Sequence, residues 1–142
     1  MRAAVPYVVS AVVASYAARV NGAGQEHGEG LVLVADDEAG VRSVARRVLE
    51  RAGFRVCVAV DGREAVEVFA AQRDQIRAVL LDMSMPRLCG DEVLSALREL
   101  VPDVRVVLTS GFDPAGELEG VTFLAKPWTP QELLAALREA LA

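Results

Sequence analysis

From Leu31 onward, short unbroken apolar runs alternate with stretches in which apolar residues return every three or four positions. The first run, Leu31-Val-Leu-Val-Ala35, is too short for a helix and lacks polar alternation, so it predicts a strand buried on both faces. Val41, Val44, Ala45, Val48, Leu49 and Ala52 then recur at helical spacing. Arg42, Arg46, Arg47, Glu50 and Arg51 fall on the opposite face, and Gly53 supplies the stop. Phe54 to Ala59 reads as a second strand, after which Asp61 caps a helix through Gln72 with Ala65, Val66, Phe69 and Ala70 inward.

The alternation continues. Ala78-Val-Leu-Leu81 is a third strand ending on Asp82, and Gly90 opens a helix that presents Val93, Leu94, Leu97 and Leu100 before Pro102 closes it. Val104 to Leu108 is a fourth strand, followed by Thr109-Ser110-Gly111. Asp113 to Gly120 leaves room for only one or two helical turns before a fifth strand, Val121 to Ala125. Thr129-Pro-Gln-Glu132 is a capping box with Pro130 at the first helical position, and Leu133, Leu134, Leu137 and Leu141 form the inner face of the helix it starts.

Five strands, each followed by a helical segment, predict an α/β fold: a doubly wound, five-stranded parallel sheet with helices on both faces. Such sheets bind ligands beyond the carboxyl ends of the strands, where the strand order reverses. Asp36, Asp37, Asp82, Ser110 and Lys126 all fall at those ends. Scattered surface acids would not collect just past strands one and three, with a hydroxyl past four and an ammonium past five.

Composition sharpens that site. The chain of 142 residues fits one domain, and its 15 basic residues include a single lysine, Lys126. Where Arg has replaced nearly every Lys, a retained Lys points to a need for a compact charge on a flexible stem. A net charge of -5 argues against direct nucleic-acid binding. Cys57 and Cys89 stand in unrelated contexts and read as reduced thiols, not as a metal site or disulfide. His27, the only histidine, lies in a Gly-rich stretch, which excludes a His-based triad.

Residues 1–29 differ from the rest. Arg2 precedes an uncharged run from Ala3 to Ala18, and Gly22 to Gly30 reads as a flexible linker. A signal peptide and a membrane anchor are both conceivable, but the Ala- and Ser-rich run with Pro6 inside falls short of a comfortable span. The favoured reading is an upstream extension that packs loosely or not at all, ahead of a domain spanning 30–142.

Asp36, Asp37 and Asp82, brought together, would repel one another unless neutralised. A hard divalent cation such as Mg2+ answers that need, with one or two carboxylates and phosphate oxygens among its ligands. Neither GxxxxGK[ST] nor GxGxxG is present, so no nucleotide cradle is indicated. What remains is a carboxylate nucleophile beside a metal, with a Lys and a hydroxyl to hold phosphoryl oxygens. Singly, each residue has a plainer reading: Asp37 as a helix N-cap, Asp36 as a turn acid, Ser110 as a turn hydroxyl, Phe123 as core. An acid ending an apolar strand, as Asp82 does, is harder to dismiss.

Leu33-Val-Ala-Asp36-Asp37-Glu38, Leu80-Leu-Asp82-Met-Ser-Met-Pro86 followed by Gly90, Val107-Leu-Thr-Ser110-Gly111 and Phe123-Leu-Ala-Lys126-Pro127 together resemble the receiver domain of bacterial response regulators. The resemblance covers about residues 30–142, and Thr-Ser-Gly-Phe is similar to receivers of hybrid sensor histidine kinases. It implies the flavodoxin-like strand order 2-1-3-4-5, for which the chemotaxis receiver is a known example. It also implies a cytoplasmic phosphorelay domain, not an enzyme in its own right, that takes a phosphoryl group from a sensor histidine kinase or phosphotransfer protein.

Residue by residue, the resemblance implies Asp82 as phosphoacceptor. Asp37 would ligate Mg2+ directly, Asp36 directly or through water, and the Ser84 backbone carbonyl would be a further ligand. Ser110 and Lys126 would bind phosphoryl oxygens, Phe123 would be the switch aromatic, and Pro127 would hold the Lys126 loop through a cis bond.

The chain departs from the family in having Ser110 and Lys126 closer together, which shortens the fourth helix, between the fourth and fifth strands. Ser84 and Phe112 stand where receivers tune hydrolysis of their own phosphate, and neither orients water well. Two rivals remain: a Mg2+-dependent aspartyl-phosphate phosphatase, which needs an Asp where Ser84 stands, and a degenerate receiver used only for docking, against which the intact acids and Lys126 speak.

Overall fold

The computed structural model describes residues 30–85, 90–111 and 120–142, and within them strand and helix alternate except that the fifth strand follows the fourth directly. In order come β1 (Leu31–Ala35), α1 (Ala39–Arg51), β2 (Arg55–Ala59), α2 (Gly62–Gln72), β3 (Ile76–Asp82), α3 (Gly90–Leu100), β4 (Val106–Ser110), β5 (Val121–Ala125) and α4 (Pro130–Leu141). Residues 1–29, Cys89, Phe112 and, apart from Gly120, the short segment before β5 lie outside the described residues.

The strands form one parallel sheet in the order β2-β1-β3-β4-β5, as expected. Because successive strand residues face opposite sides, β1 feeds two separate cores. Leu31, Leu33 and Ala35 pack with Val68 and Phe69 of α2 and with Val93, Leu94 and Leu97 of α3. Val32 and Val34 pack with Ala45 and Leu49 of α1 and with Leu133 and Leu137 of α4. All of β1 is buried, which explains its unbroken apolar run.

Local signals act where the sequence puts them. The Asp61 carboxylate accepts from the Glu64 amide at the start of α2, and Thr129 and Glu132 close a reciprocal capping box on α4. Two expectations need correction. The fourth strand begins at Val106, not Val104, because the Val104 amide turns back to the Val101 carbonyl and strand pairing starts only at Val79–Val106. Val44 is 43% exposed, so the inner face of α1 is narrower than its periodicity suggests and rests on Ala45 and Leu49. Burial pushes the Cys57 thiol up to about 12, consistent with an inert core residue.

One glycine decides the path of the loop that follows β3. A Cβ on Gly90 would meet the Met83 backbone at 2.7 Å, and the Gly90 amide donates to the Met83 carbonyl at 3.2 Å. A Cβ on Gly40, in the first turn of α1, would have nothing within 4 Å. Gly90→Ala should therefore destabilise the protein by about 1–3 kcal/mol through overpacking. Gly40→Ala should be neutral or stabilising by up to about 1 kcal/mol. Urea unfolding of both variants checks the contrast, and equal effects would mean that the Met83 approach is not tight.

Candidate functional site

The strand register assembles the site. Ala35 lies opposite Leu81, so the next residues, Asp36 and Asp82, are neighbours at the carboxyl ends of β1 and β3. Ser110 lies opposite Ala125, which brings Lys126 alongside, and the Lys126 amide donates to the Ser110 carbonyl at 2.8 Å. The alternation that sends Val32 and Val34, Ala78 and Leu80, and Leu124 into the layer under α1 and α4 continues to Asp36, Asp82 and Lys126. Adjacent strands sit about 4.8 Å apart, so Asp36 and Asp82 are immediate neighbours, while Lys126, two strands from Asp82 across β4, reaches them with its long stem.

They meet as charges. Lys126 Nζ lies 2.9 Å from Asp36 Oδ2, 3.4 Å from Asp82 Oδ2 and 3.6 Å from Glu38 Oε1. Asp36 and Asp82 are buried, whereas Glu38 is exposed. Their remaining oxygens are also engaged: Asp36 Oδ1 accepts from the Glu38 amide at 2.9 Å. Asp82 Oδ1 accepts from both the Ser84 amide and the Ser84 hydroxyl at 3.2 Å. Desolvation raises the pKa of Asp36 above the usual carboxylate range, and the neighbouring Asp82 adds to the rise against the Glu38 amide and Lys126. Burial alone would pull the Lys126 ammonium down, but Asp36 and Asp82 together outweigh it and hold its pKa above the usual range.

Asp37 completes an acidic cluster. It is exposed, yet carboxylate oxygens of Asp36, Asp37 and Asp82 lie within 4.8 Å of one another. Three hard oxygen donors around one point, with a single ammonium to balance them, fit a hard divalent cation such as Mg2+. Ser84 is exposed beside Asp82, Ser110 is buried at the end of β4, and Phe123 is half-buried on the edge strand β5, against the core beneath α2 and α3. The Lys126–Pro127 peptide is cis. An apolar groove of about 660 Å³, lined by Gly40, Val41, Val44, Pro127 and Trp128, opens next to Lys126 and Glu38.

The family model for the response regulator receiver domain matches residues 32–138. The chain belongs to the response regulator receiver family. Among curated relatives, the response regulator MprA of Mycolicibacterium vanbaalenii is 39% identical over 116 residues, covering 78% of this chain and 49% of that protein. The receiver thus spans about half the length of the curated relatives it matches. Among solved structures, the receiver domain of the hybrid histidine kinase CckA is similar with a TM-score of 0.71 and 33% identity, over 80% of this chain and 100% of that one. The chemotaxis protein in the CheX-CheY-BeF3-Mg complex of Borrelia burgdorferi is similar with a TM-score of 0.72 and 26% identity, over 80% and 90% of the two chains. The phosphoacceptor role in two-component signalling is the function of this family.

Sequence periodicity placed Arg42 among the solvent-facing arginines of α1. In this receiver it is half-buried and donates to the Asp36 carbonyl oxygen at 2.8 Å. The signal available was its position one turn into the helix that follows the acidic pair. Glu38 likewise figured only as part of a motif, and its ion pair with Lys126 needed the fold.

The charge arrangement predicts a pH-dependent effect of losing Lys126. A carboxyl whose folded pKa is raised contributes most to stability below its unfolded value, and that contribution is lost as pH rises through the folded value. A raised Lys contributes fully below its unfolded pKa and loses that only in strongly alkaline solution. At pH 7 the metal-free receiver therefore carries Asp36 ionised at a penalty that Lys126 offsets. Lys126→Ala should cost roughly 2 kcal/mol at pH 7, below the range for fully buried pairs because the ammonium is partly exposed. The penalty should shrink as pH falls into the carboxylate range, where Asp36 takes up a proton instead. Urea unfolding of wild type and variant at pH 7 and pH 4.5 measures this, and a constant difference would show that the ion pairs do not govern the site.

Proposed function

We propose that Asp82 is the phosphoacceptor of this receiver and that Asp36, Asp37 and Asp82, with the Ser84 backbone carbonyl, hold Mg2+. The observation that carries the reading is the meeting of three carboxylates with one ammonium at the ends of β1, β3 and β5. Asp82 has one oxygen fixed by Ser84 and the other turned to Lys126, so its carboxylate is oriented before any donor arrives. Bound Mg2+ would neutralise negative charge on the carboxylates and on the incoming phosphoryl oxygens.

In transfer from a phosphohistidine, an Asp82 oxygen bonds to phosphorus as the phosphorus–nitrogen bond breaks, and the imidazole keeps the electron pair. The Lys126 ammonium then exchanges its carboxylate partner for a phosphoryl oxygen, and the Ser110 hydroxyl supplies a second contact. Movement of Ser110 toward the phosphoryl group would bias Phe123 between half-buried and buried positions, the two-state element of the switch.

The domain on this reading runs from residue 30 to 142, with residues 1–29 as an extension, and it acts in the cytoplasm as a phosphoacceptor and not as an enzyme. Among the described residues no helix is long and apolar enough to cross a membrane. Receiver domains interact with histidine kinases or phosphotransfer proteins, and the resemblance to the CckA receiver favours a donor of that kind here.

Acetyl phosphate with Mg2+ should add one phosphoryl group to wild type and none to Asp82→Asn, read by intact-mass spectrometry. Labelling of the variant, or labelling of wild type without Mg2+, would overturn the assignment. The lifetime of the phosphoryl group follows from Ser84, whose short hydroxyl is engaged with Asp82 and is neither an acid nor an amide able to orient water. Ser84→Asn should shorten that lifetime, and slower decay in the variant would contradict the water-orienting argument.

A further inference from the structure

We infer that Arg42 is a positioning residue for the metal site, acting through the peptide that joins Asp36 to Asp37. The inference rests on the proposed Mg2+ ligands. Besides its ion pair with Lys126, Asp36 is held three ways: its amide donates to the Ala59 carbonyl at 3.1 Å, its Oδ1 accepts from the Glu38 amide, and its carbonyl oxygen accepts from Arg42 Nη1 at 2.8 Å. The first two contacts fix the Asp36 residue itself. The third fixes what comes next, because the Asp36 carbonyl and the Asp37 amide belong to one planar unit. With that oxygen pinned, the Asp37 Cα has one position relative to the end of β1.

Asp37 needs this. It is exposed, and among the described residues the hydrogen bonds of the acidic turn go to Asp36 and not to its carboxylate. Its oxygens nevertheless stand within 4.8 Å of those of Asp36 and Asp82. The lever that keeps them there is rigid at its base, since the Arg42 amide donates to the Glu38 carbonyl at 3.1 Å in the first turn of α1. Arg42 donates to a backbone carbonyl and not to a carboxylate, so it occupies none of the proposed ligand oxygens. Groups that hold metal ligands in place without touching the metal commonly control affinity by about 10–100-fold.

Mg2+ binding by isothermal calorimetry and the melting temperature without Mg2+ separate this role from a structural one. Arg42→Gln should weaken Mg2+ binding by about tenfold or more. The melting temperature should stay with that of an Arg47→Gln control on the same helix. Arg42→Lys, which can still donate to a carbonyl, should fall between Gln and wild type. Arg42→Met keeps the aliphatic stem and carries the test if the Gln variant does not fold. In Mg2+-free samples the amide resonance of Asp37 should move in Arg42→Gln more than that of Asp82.

Affinity within twofold of wild type in the Gln and Met variants would overturn the inference. So would an equal loss in Arg47→Gln, which would assign the effect to net charge alone. Failure of wild type to bind Mg2+ would instead overturn the underlying metal reading, and this inference with it.

Discussion

Lys126 is the only ammonium side chain in the sequence, and the site depends on where it goes. Two buried carboxylates in an apolar sheet would be prohibitively unfavourable as bare charges. One ammonium serves both, closer to Asp36 than to Asp82. The ammonium is thus shared unequally between two acids, with the exposed Asp37 and Glu38 close by. An Arg fork would lock onto one carboxylate in a bidentate pair, whereas a single charge on a flexible stem can change partners.

The rest of the fold exists to deliver these groups to one place. The helices after β1 and β2 cover opposite faces of the sheet, so β1 lies between β2 and β3, and the register of β1 with β3 sets Asp36 against Asp82. The two cores on either side of the sheet bury β1, β3 and β4, so Asp36 and Asp82 stand at the ends of packed strands. Phe123 and Lys126 belong to or follow β5, an edge strand with a ladder on one side only.

Much of this was legible in the sequence because each strand announces itself as an apolar run and each acid stands directly after one. The strand order and the individual roles came from resemblance to receivers, not from periodicity. Boundaries were less legible: Val104 is apolar and buried yet precedes the strand, since burial does not require ladder pairing. Arg42 was misread for a related reason. Helical periodicity assigns a face, but a long side chain can reach back along its stem to a backbone oxygen, and nothing in the spacing records that.

The register of the site has a consequence for folding. Its charges come from the ends of β1, β3 and β5, residues far apart in sequence that become neighbours only when the parallel sheet is complete. Parallel pairings are non-local and form late, after the entropy of closing long loops has been met. A chain that has built β1 to β3 but not yet docked β5 holds the acids without their ammonium. The charge cluster is therefore a property of the finished sheet, and a chain still emerging from the ribosome does not yet possess it.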